Sequence, residues 1–180
     1  YSDGREAGPT VVHAEQLNEG AKALSYNNYN DTDAAVELVQ EFDDPAAAVI
    51  KHTNPAGCAV ADTLADAYAD ALATDPKSAF GGIVALNRTC DAATAEQVTE
   101  SFKEVVAAPD YTDDALAVLR ESENLRVLAL GETEPFGTDA APDTTEVKLT
   151  GGRLLQDRDR QAPTPDDLAV ATEREPTQPA

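Results

Sequence analysis

The stretch that decides the fold is Ala46-Ala47-Ala48-Val49-Ile50-Lys51-His52-Thr53-Asn54-Pro55-Ala56-Gly57. Its five apolar residues predict a buried β-strand that stops at a lysine and a histidine and leads into a Pro/Gly turn. Phe80-Gly81-Gly82-Ile83-Val84-Ala85-Leu86 predicts a second buried strand, and Leu125 to Leu130 predicts a third. Because helical patterns separate these strands, the sequence indicates an α/β layered domain with a parallel or mixed sheet.

The helices are predicted from apolar residues at helical spacing behind candidate capping residues. The first is expected to begin at Asp31 or Asp33 and the second at Asp62. The third begins at Asp91 and is expected to continue through Glu104. A fourth follows the turn at residues 109–112, and residues 146–149 predict a short further strand. The last twenty residues contain four prolines and alternating charge, which is typical of a mobile tail over residues 161–180.

The composition is strongly acidic, with a formal net charge of −21 and only five lysines among 180 residues. Such a surface repels nucleic acids and anionic membranes, so neither is an expected partner. High net charge often indicates disorder, but the periodic apolar faces argue against it. At molar salt the screening length falls to about 3 Å, which removes most of the repulsion between surface carboxylates. We therefore expect a halophilic protein.

The cysteines and histidines are too few for a metal centre or a disulfide framework. Cys58 and Cys90 lie beside apolar segments and are expected to be small buried hydrophobes. His13 and His52 are the two histidines, so no metal is expected at the Lys51-His52 pair. The sequence has no apolar stretch of membrane-spanning length and no signal-peptide pattern, which predicts a cytoplasmic location. Because it starts at a tyrosine, we expect it to be part of a longer product.

Several segments resemble the AICAR transformylase family, in the order in which that family has them. They are Ser25 to Ala35, Ile50 to Gly57, Ser78 to Asn87, Val105 to Pro109 and Gly151 to Asp159. Any one of these matches is a weak signal, whereas the ordered set is a strong one. The resemblance implies a three-layer, cytidine-deaminase-like α/β fold, with a mixed sheet flanked by helices. It also implies two similar halves in tandem and a homodimer.

The resemblance implies an enzyme that transfers a formyl group from 10-formyltetrahydrofolate to the amine of AICAR, a purine-pathway ribonucleotide. It implies that Lys51 and His52 are the catalytic pair. It further implies that Asn30, the backbone around Gly81 and the carboxylate of Glu104 contact the nucleotide.

The same resemblance indicates what the sequence lacks. A substrate-binding motif is expected before Tyr1, and the second half of the domain and a cyclohydrolase domain are also missing. We therefore expect residues 1–160 to be the first half of a transformylase domain. The alternative is a catalytically silent half-domain, acting as a nucleotide-binding or assembly module that needs a separate second half.

The chemistry explains why a lysine and a histidine suit this reaction. The amine of AICAR is a poor nucleophile, so formyl transfer needs a base for its proton and a cation or donors for the oxyanion. His52 suits the first role because imidazole titrates near neutral pH, and Lys51 suits the second or protonates the leaving folate nitrogen. Adjacent residues of a strand point to opposite faces. We therefore predict irregular backbone at Thr53-Asn54-Pro55.

Each candidate also has a purely structural alternative. His52 is otherwise a hydrogen-bonded histidine at a strand end, and Lys51 a solvated strand terminus. Asn27 and Asn28 are expected to form a turn before the first helix, whereas Asn30 is the expected substrate contact.

The glycine pair and the acidic candidate have alternatives as well. Gly81 and Gly82 are expected either to allow the chain to turn into the strand or to let the backbone approach a ligand closely, and the two roles are compatible. Glu104 is otherwise a surface charge in an acidic chain.

Overall fold

The computed structural model describes residues 10–18, 22–131, 144–159, 167–171 and 173–174. They belong to two compact units, one within residues 1–141 and one within residues 142–180. The elements are β1 (Glu15–Gln16), α1 (Tyr26–Val39), β2 (Ala46–Lys51), β3 (Asn54–Val60), α2 (Leu64–Thr74), α3 (Pro76–Ala79), β4 (Ile83–Leu86), α4 (Ala92–Thr99), β5 (Val105–Ala108), α5 (Asp113–Arg120), β6 (Arg126–Ala129), β7 (Thr144–Leu149) and β8 (Gly152–Asp157).

A six-stranded mixed sheet is the centre of the first unit, in the order β1-β6-β5-β4-β2-β3. Strands β4, β5 and β6 are parallel, whereas β2 is antiparallel to both of its neighbours and β1 is antiparallel to β6. The predicted α/β class and the mixed sheet are confirmed.

Helices cover both faces of this sheet, because alternate residues of each strand face opposite sides. Ala47 and Val49 of β2 pack in one apolar cluster with α2, α4 and α5. Ala48 and Ile50 pack in the other with α1. The first unit therefore has the predicted three layers, and its core consists mainly of Ala, Val, Leu and Ile side chains.

The first helix begins earlier than predicted. Its cap is Ser25, whose hydroxyl accepts from the backbone N–H of Asn28 while the Asn28 side chain accepts from the Ser25 backbone N–H. This reciprocal pair is a capping box. The prediction that Asp31 or Asp33 caps the helix is therefore wrong, and so is the prediction that Asn27 and Asn28 form a turn.

The starts of the other helices are close to their predicted positions. Thr63, one residue after Asp62, caps α2 by accepting from the backbone N–H of Asp66. Asp91 caps α4 as predicted, and Thr112 of the predicted turn caps α5.

Two strands of the sheet, β3 and β5, lie where the sequence predicted a turn and the end of a helix. The prediction that the third helix continues through Glu104 is wrong, because α4 ends at Thr99 and β5 begins at Val105. The boundary between α4 and β5 is hidden in the sequence, because the spacing of Val98, Phe102 and Val105 is that of one helical face. Strand β3 includes the predicted Pro/Gly turn, and it accommodates Pro55 because it is an edge strand of the sheet.

The second unit contains the hairpin of β7 and β8, joined through Gly151 at a φ of 81°. The short strand predicted at residues 146–149 is confirmed within β7. Most of the tail predicted to be mobile, residues 161–166, 172 and 175–180, lies outside the described residues.

Both cysteines are free thiols; the prediction of a buried hydrophobe is confirmed for Cys90, whereas Cys58 is only partly buried. Cys90 is fully buried, and burial raises its pKa to about 12. Cys58 is half-buried, and burial raises its pKa as well. Neither thiol is therefore set up as a thiolate nucleophile at neutral pH. Among the described residues, no helix combines the length and apolar character needed to cross a bilayer.

Candidate functional site

The Lys51-His52 pair lies at the tip of a tight hairpin between β2 and β3. Lys51 pairs with Asn54, so His52 and Thr53 form a two-residue loop. Their φ angles are 54° and 60°, and two-residue type I′ loops require positive φ at both positions. The irregular backbone predicted at 53–55 is confirmed at Thr53 and begins one residue earlier, at His52, and the strand register also shifts between Pro55 and Gly57. Neither residue is glycine, so the conformation is strained.

The carboxylate of Asp31 on α1 holds this loop. Its Oδ2 accepts from the backbone N–H of His52 at 3.1 Å, and its Oδ1 accepts from the backbone N–H of Thr53 at 2.9 Å. The carbonyl of His52 accepts from the Thr53 hydroxyl at 2.7 Å and from the Asn54 side-chain amide at 2.9 Å. Both N–H groups of the strained residues and the carbonyl of His52 are therefore paired.

Lys51 reaches from the end of β2 to the turn before β4. Its Nζ donates to the backbone carbonyl of Phe80 at 2.7 Å. Lys51 is half-buried and His52 is exposed. The ammonium group is therefore held beside the glycine turn by one hydrogen bond, and the catalytic role of Lys51 stays a prediction.

The two glycines that follow Phe80 are needed for different reasons. Gly81 has a φ of 72°, and its N–H donates to the carbonyl of Phe102 at 2.9 Å. At Gly82 a Cβ would lie 2.8 Å from the carbonyl oxygen of Ile50, so only glycine lets the turn approach β2 this closely. Both glycines are therefore needed for the shape of the turn. A contact between Gly81 and a ligand stays a prediction.

Glu104 is paired and not an isolated surface charge. Its Oε2 accepts from Nδ2 of Asn28 at 2.7 Å and lies 3.9 Å from Nη1 of Arg126. Its backbone N–H donates to the carbonyl of Gly82 at 3.1 Å. The carboxylate therefore joins α1 to the start of β6, and the backbone of the same residue contacts the glycine turn.

Asn30, the predicted nucleotide contact on α1, is exposed. It is Asn28, not Asn30, that contacts Glu104. The signal for Asn28 in the sequence was the Ser-x-x-Asn spacing from Ser25, which allows a capping box. A substrate contact by Asn30 stays a prediction.

These groups gather at one edge of the sheet. The edge contains the carboxyl end of β2, the amino ends of β4, β5 and β6, and the amino end of α1. Ligands of open α/β sheets usually lie at strand carboxyl ends. Here the rule applies to β2 alone, because β2 runs antiparallel to β4. The edge presents an ammonium group, an imidazole, a carboxylate and amide groups, which suits a small polar substrate.

A separate cavity of about 150 Å³ lies between the end of α4 and the loop before β6. Lys103 lines it and is only 2 % exposed, and its Nζ donates to the hydroxyl of Ser101. Burial lowers the pKa of Lys103. Within the part of the chain that the structure describes, no carboxylate forms a salt bridge with it, and no three His, Cys, Asp or Glu side chains are grouped to bind a metal.

Replacing Lys103 with Met is expected to raise the free energy of unfolding by about 1 kcal/mol at neutral pH, since a buried cation without a counter-charge is removed. Because the folded-state pKa is lowered, the unfolded chain binds more protons between that pKa and the ordinary lysine value. The wild-type protein should therefore gain stability as pH rises through this window, and the difference from the variant should shrink. Urea unfolding of the full-length proteins at several pH values measures this. If the difference in free energy of unfolding between the variant and the wild type grew with pH, this prediction would be contradicted.

Comparison with known proteins identifies the family. The family described as AICARFT/IMPCHase bienzyme matches residues 1–180. The chain belongs to this family. Similar relatives are bifunctional purine biosynthesis proteins PurH. That of Ruegeria sp. is 51 % identical over 181 residues, 99 % of this chain and 33 % of the relative. Those of Jannaschia sp. and Thermoanaerobacter sp. are 49 % and 45 % identical, over 98 % and 93 % of this chain and 33 % and 32 % of the relatives.

The AICARFT/IMPCHase match covers all the segments from which the resemblance was inferred. The chain spans about a third of the length of these relatives. The family assignment is therefore secure, while the activity of the whole relatives does not pass to this chain by similarity alone.

Proposed function

We propose that this chain is the first half of the formyl-transfer domain of a purine biosynthesis enzyme. The reaction is transfer of the formyl group of 10-formyltetrahydrofolate to the amine of AICAR. The observation that carries the proposal is the Lys51-His52 hairpin, which lies beside the glycine turn at Gly81 in a chain of the AICARFT/IMPCHase family.

His52 and Lys51 have separate roles in the proposed reaction. His52, exposed at the tip of the hairpin, takes the proton from the AICAR amine as the amine attacks the formyl carbon. The ammonium group of Lys51 has three N–H donors, and one of them donates to the Phe80 carbonyl. The remaining donors stabilise the oxyanion or protonate the leaving folate nitrogen.

The nucleotide is proposed to bind along the same edge. Asn30, the backbone at Gly81 and the carboxylate of Glu104 are the proposed contacts. A carboxylate accepts hydrogen bonds and repels phosphate, so Glu104 suits a hydroxyl or amine of the nucleotide and not its phosphate. Arg126 and Asn28 fix the position of this carboxylate before the substrate arrives.

The test uses the full-length protein, this 180-residue chain alone, and this chain mixed with the rest of the full-length protein. Formyl-AICAR formation is followed in each. We expect turnover by the full-length protein, and its absence there would refute the proposal.

The second candidate is a silent half-domain that binds nucleotide or serves assembly. Turnover only on mixing would support this candidate. Turnover by the chain alone would exclude it.

A homodimer that shares its folate pocket between subunits, and a cytoplasmic location, are part of the same proposal. Sedimentation of the full-length protein tests the first, and a dimer is the expected result. Fractionation of the source cells tests the second.

The net charge of −21 makes the assay sensitive to salt. Both substrates are anionic, so the acidic chain repels them at low ionic strength, whereas molar salt screens this repulsion and that between its own carboxylates. We propose that the protein is halophilic and expect formyl transfer to fall when a potassium-rich buffer is replaced by a dilute one. Higher activity in dilute buffer would contradict this.

A further inference from the structure

The His52-Thr53 loop needs an outside group to keep its shape. Both residues have positive φ, which costs roughly 1–2 kcal/mol for a residue with a Cβ and is rare for a β-branched residue such as threonine. Such conformations persist where the surroundings determine them. In this loop both N–H groups point to a single carboxylate, that of Asp31.

Asp31 is itself well placed to act as an anchor. Asp31 lies in the second turn of α1 and is half-buried. The first turn of the same helix is fixed by the capping box of Ser25 and by the bond from Asn28 to Glu104. The carboxylate therefore approaches the loop from a helix with a fixed amino end.

We propose that Asp31 is a positioning residue for the catalytic histidine. By accepting from both consecutive N–H groups, its carboxylate keeps His52 and Thr53 at positive φ and thereby aims the imidazole at the shared edge. The inference rests on the proposed formyl transfer for its kinetic consequence, while the hydrogen bonds themselves are a property of the fold.

The geometry requires a carboxylate and not merely a polar group. The loop presents two donors, and a carboxylate offers an acceptor oxygen to each. An amide offers one oxygen, and its NH₂ would face the second N–H. Asp31→Asn should therefore resemble Asp31→Ala more than it resembles the wild type.

The test compares Asp31→Ala and Asp31→Asn in the full-length protein. We expect kcat to fall about 10- to 100-fold with little change in the KM for AICAR, because the imidazole is misplaced while the nucleotide contacts remain. Asp70→Ala is the matched control, since Asp70 is an exposed helical aspartate of α2. Kcat within twofold of the wild type in both Asp31 variants would overturn the proposal.

A rescue separates positioning from general loss of structure. Glycine adopts positive φ without a steric penalty. Thr53→Gly in the Asp31→Ala background should restore part of the lost kcat, and the Asn54 side chain still holds the His52 carbonyl. No recovery, with Thr53→Gly alone near wild-type activity, would count against the proposal.

Amide hydrogen exchange distinguishes failure of this inference from failure of the proposed function. In Asp31→Ala the amides of His52 and Thr53 should exchange at least tenfold faster, whereas those of β4 should be unchanged. This outcome is expected even if the full-length protein forms no formyl-AICAR. Unchanged exchange at both loop amides would refute the anchoring role whatever the activity.

Discussion

Replacing His52 with Ala in the full-length protein is expected to lower the turnover number for formyl transfer about a hundredfold or more, while nucleotide binding is largely kept. A positioned acid or base contributes on this scale. The side chain of His52 is exposed at the loop tip, and the loop is held through its backbone, so the variant should lose the imidazole and keep the hairpin. Single-turnover kinetics and nucleotide titration measure the two effects separately.

His13 provides the matched control. It is the other histidine, it is exposed, and it belongs to a turn before β1. His13→Ala should leave turnover within about twofold of the wild type, as expected for a surface change. If both variants lost turnover equally, or if His52→Ala kept full activity, His52 would have no role in the reaction.

Gly57→Ala is expected to have the largest effect on stability, lowering the free energy of unfolding by about 3 kcal/mol or more. A Cβ at this position would lie 1.9 Å from the backbone carbonyl oxygen of Ala71 and 3.1 Å from Cβ of Thr74. Since the first of these atoms is backbone, relief requires α2 to move away from β3. Denaturant unfolding of the full-length protein measures the loss.

The control for this change is Gly152→Ala in β8. No heavy atom lies within 4 Å of a Cβ built at Gly152, and no positive φ is required there. The substitution should therefore be neutral or slightly stabilising, because alanine reduces the entropy of the unfolded chain. If Gly57→Ala lowered the free energy of unfolding no more than Gly152→Ala does, α2 would be able to move away from β3 at little energetic cost.

The layered fold was predictable because its strands are continuous apolar runs and its helices have one apolar face. The start of α1 failed because the local capping box at Ser25 was overlooked, whereas the other boundaries failed because local pattern and tertiary packing disagree there. Val105 continues a helical spacing but is buried in β5 between two parallel strands. Gly57 signals a turn, yet it lies in β3, where glycine is needed because α2 passes too close for any side chain.

The arrangement of the candidate site was predictable only where its residues are adjacent in sequence. Lys51 and His52 stand out because they end an apolar run. The bond from Asn28 to Glu104 joins residues 76 positions apart, and no spacing rule connects them. The Asp31 carboxylate likewise meets residues 21 and 22 positions away, and the single sequence suggested only that it caps a helix.

The first two turns of α1 contact two places at once. Asn28 and Asp31 are three positions apart, so they share a side of the helix. One side chain contacts Glu104 and the other contacts the backbone at residues 52–53. A small rotation or slide of this helix end would thus shift the Glu104 carboxylate and the His52-Thr53 loop together, which couples the proposed nucleotide contact to the proposed general base.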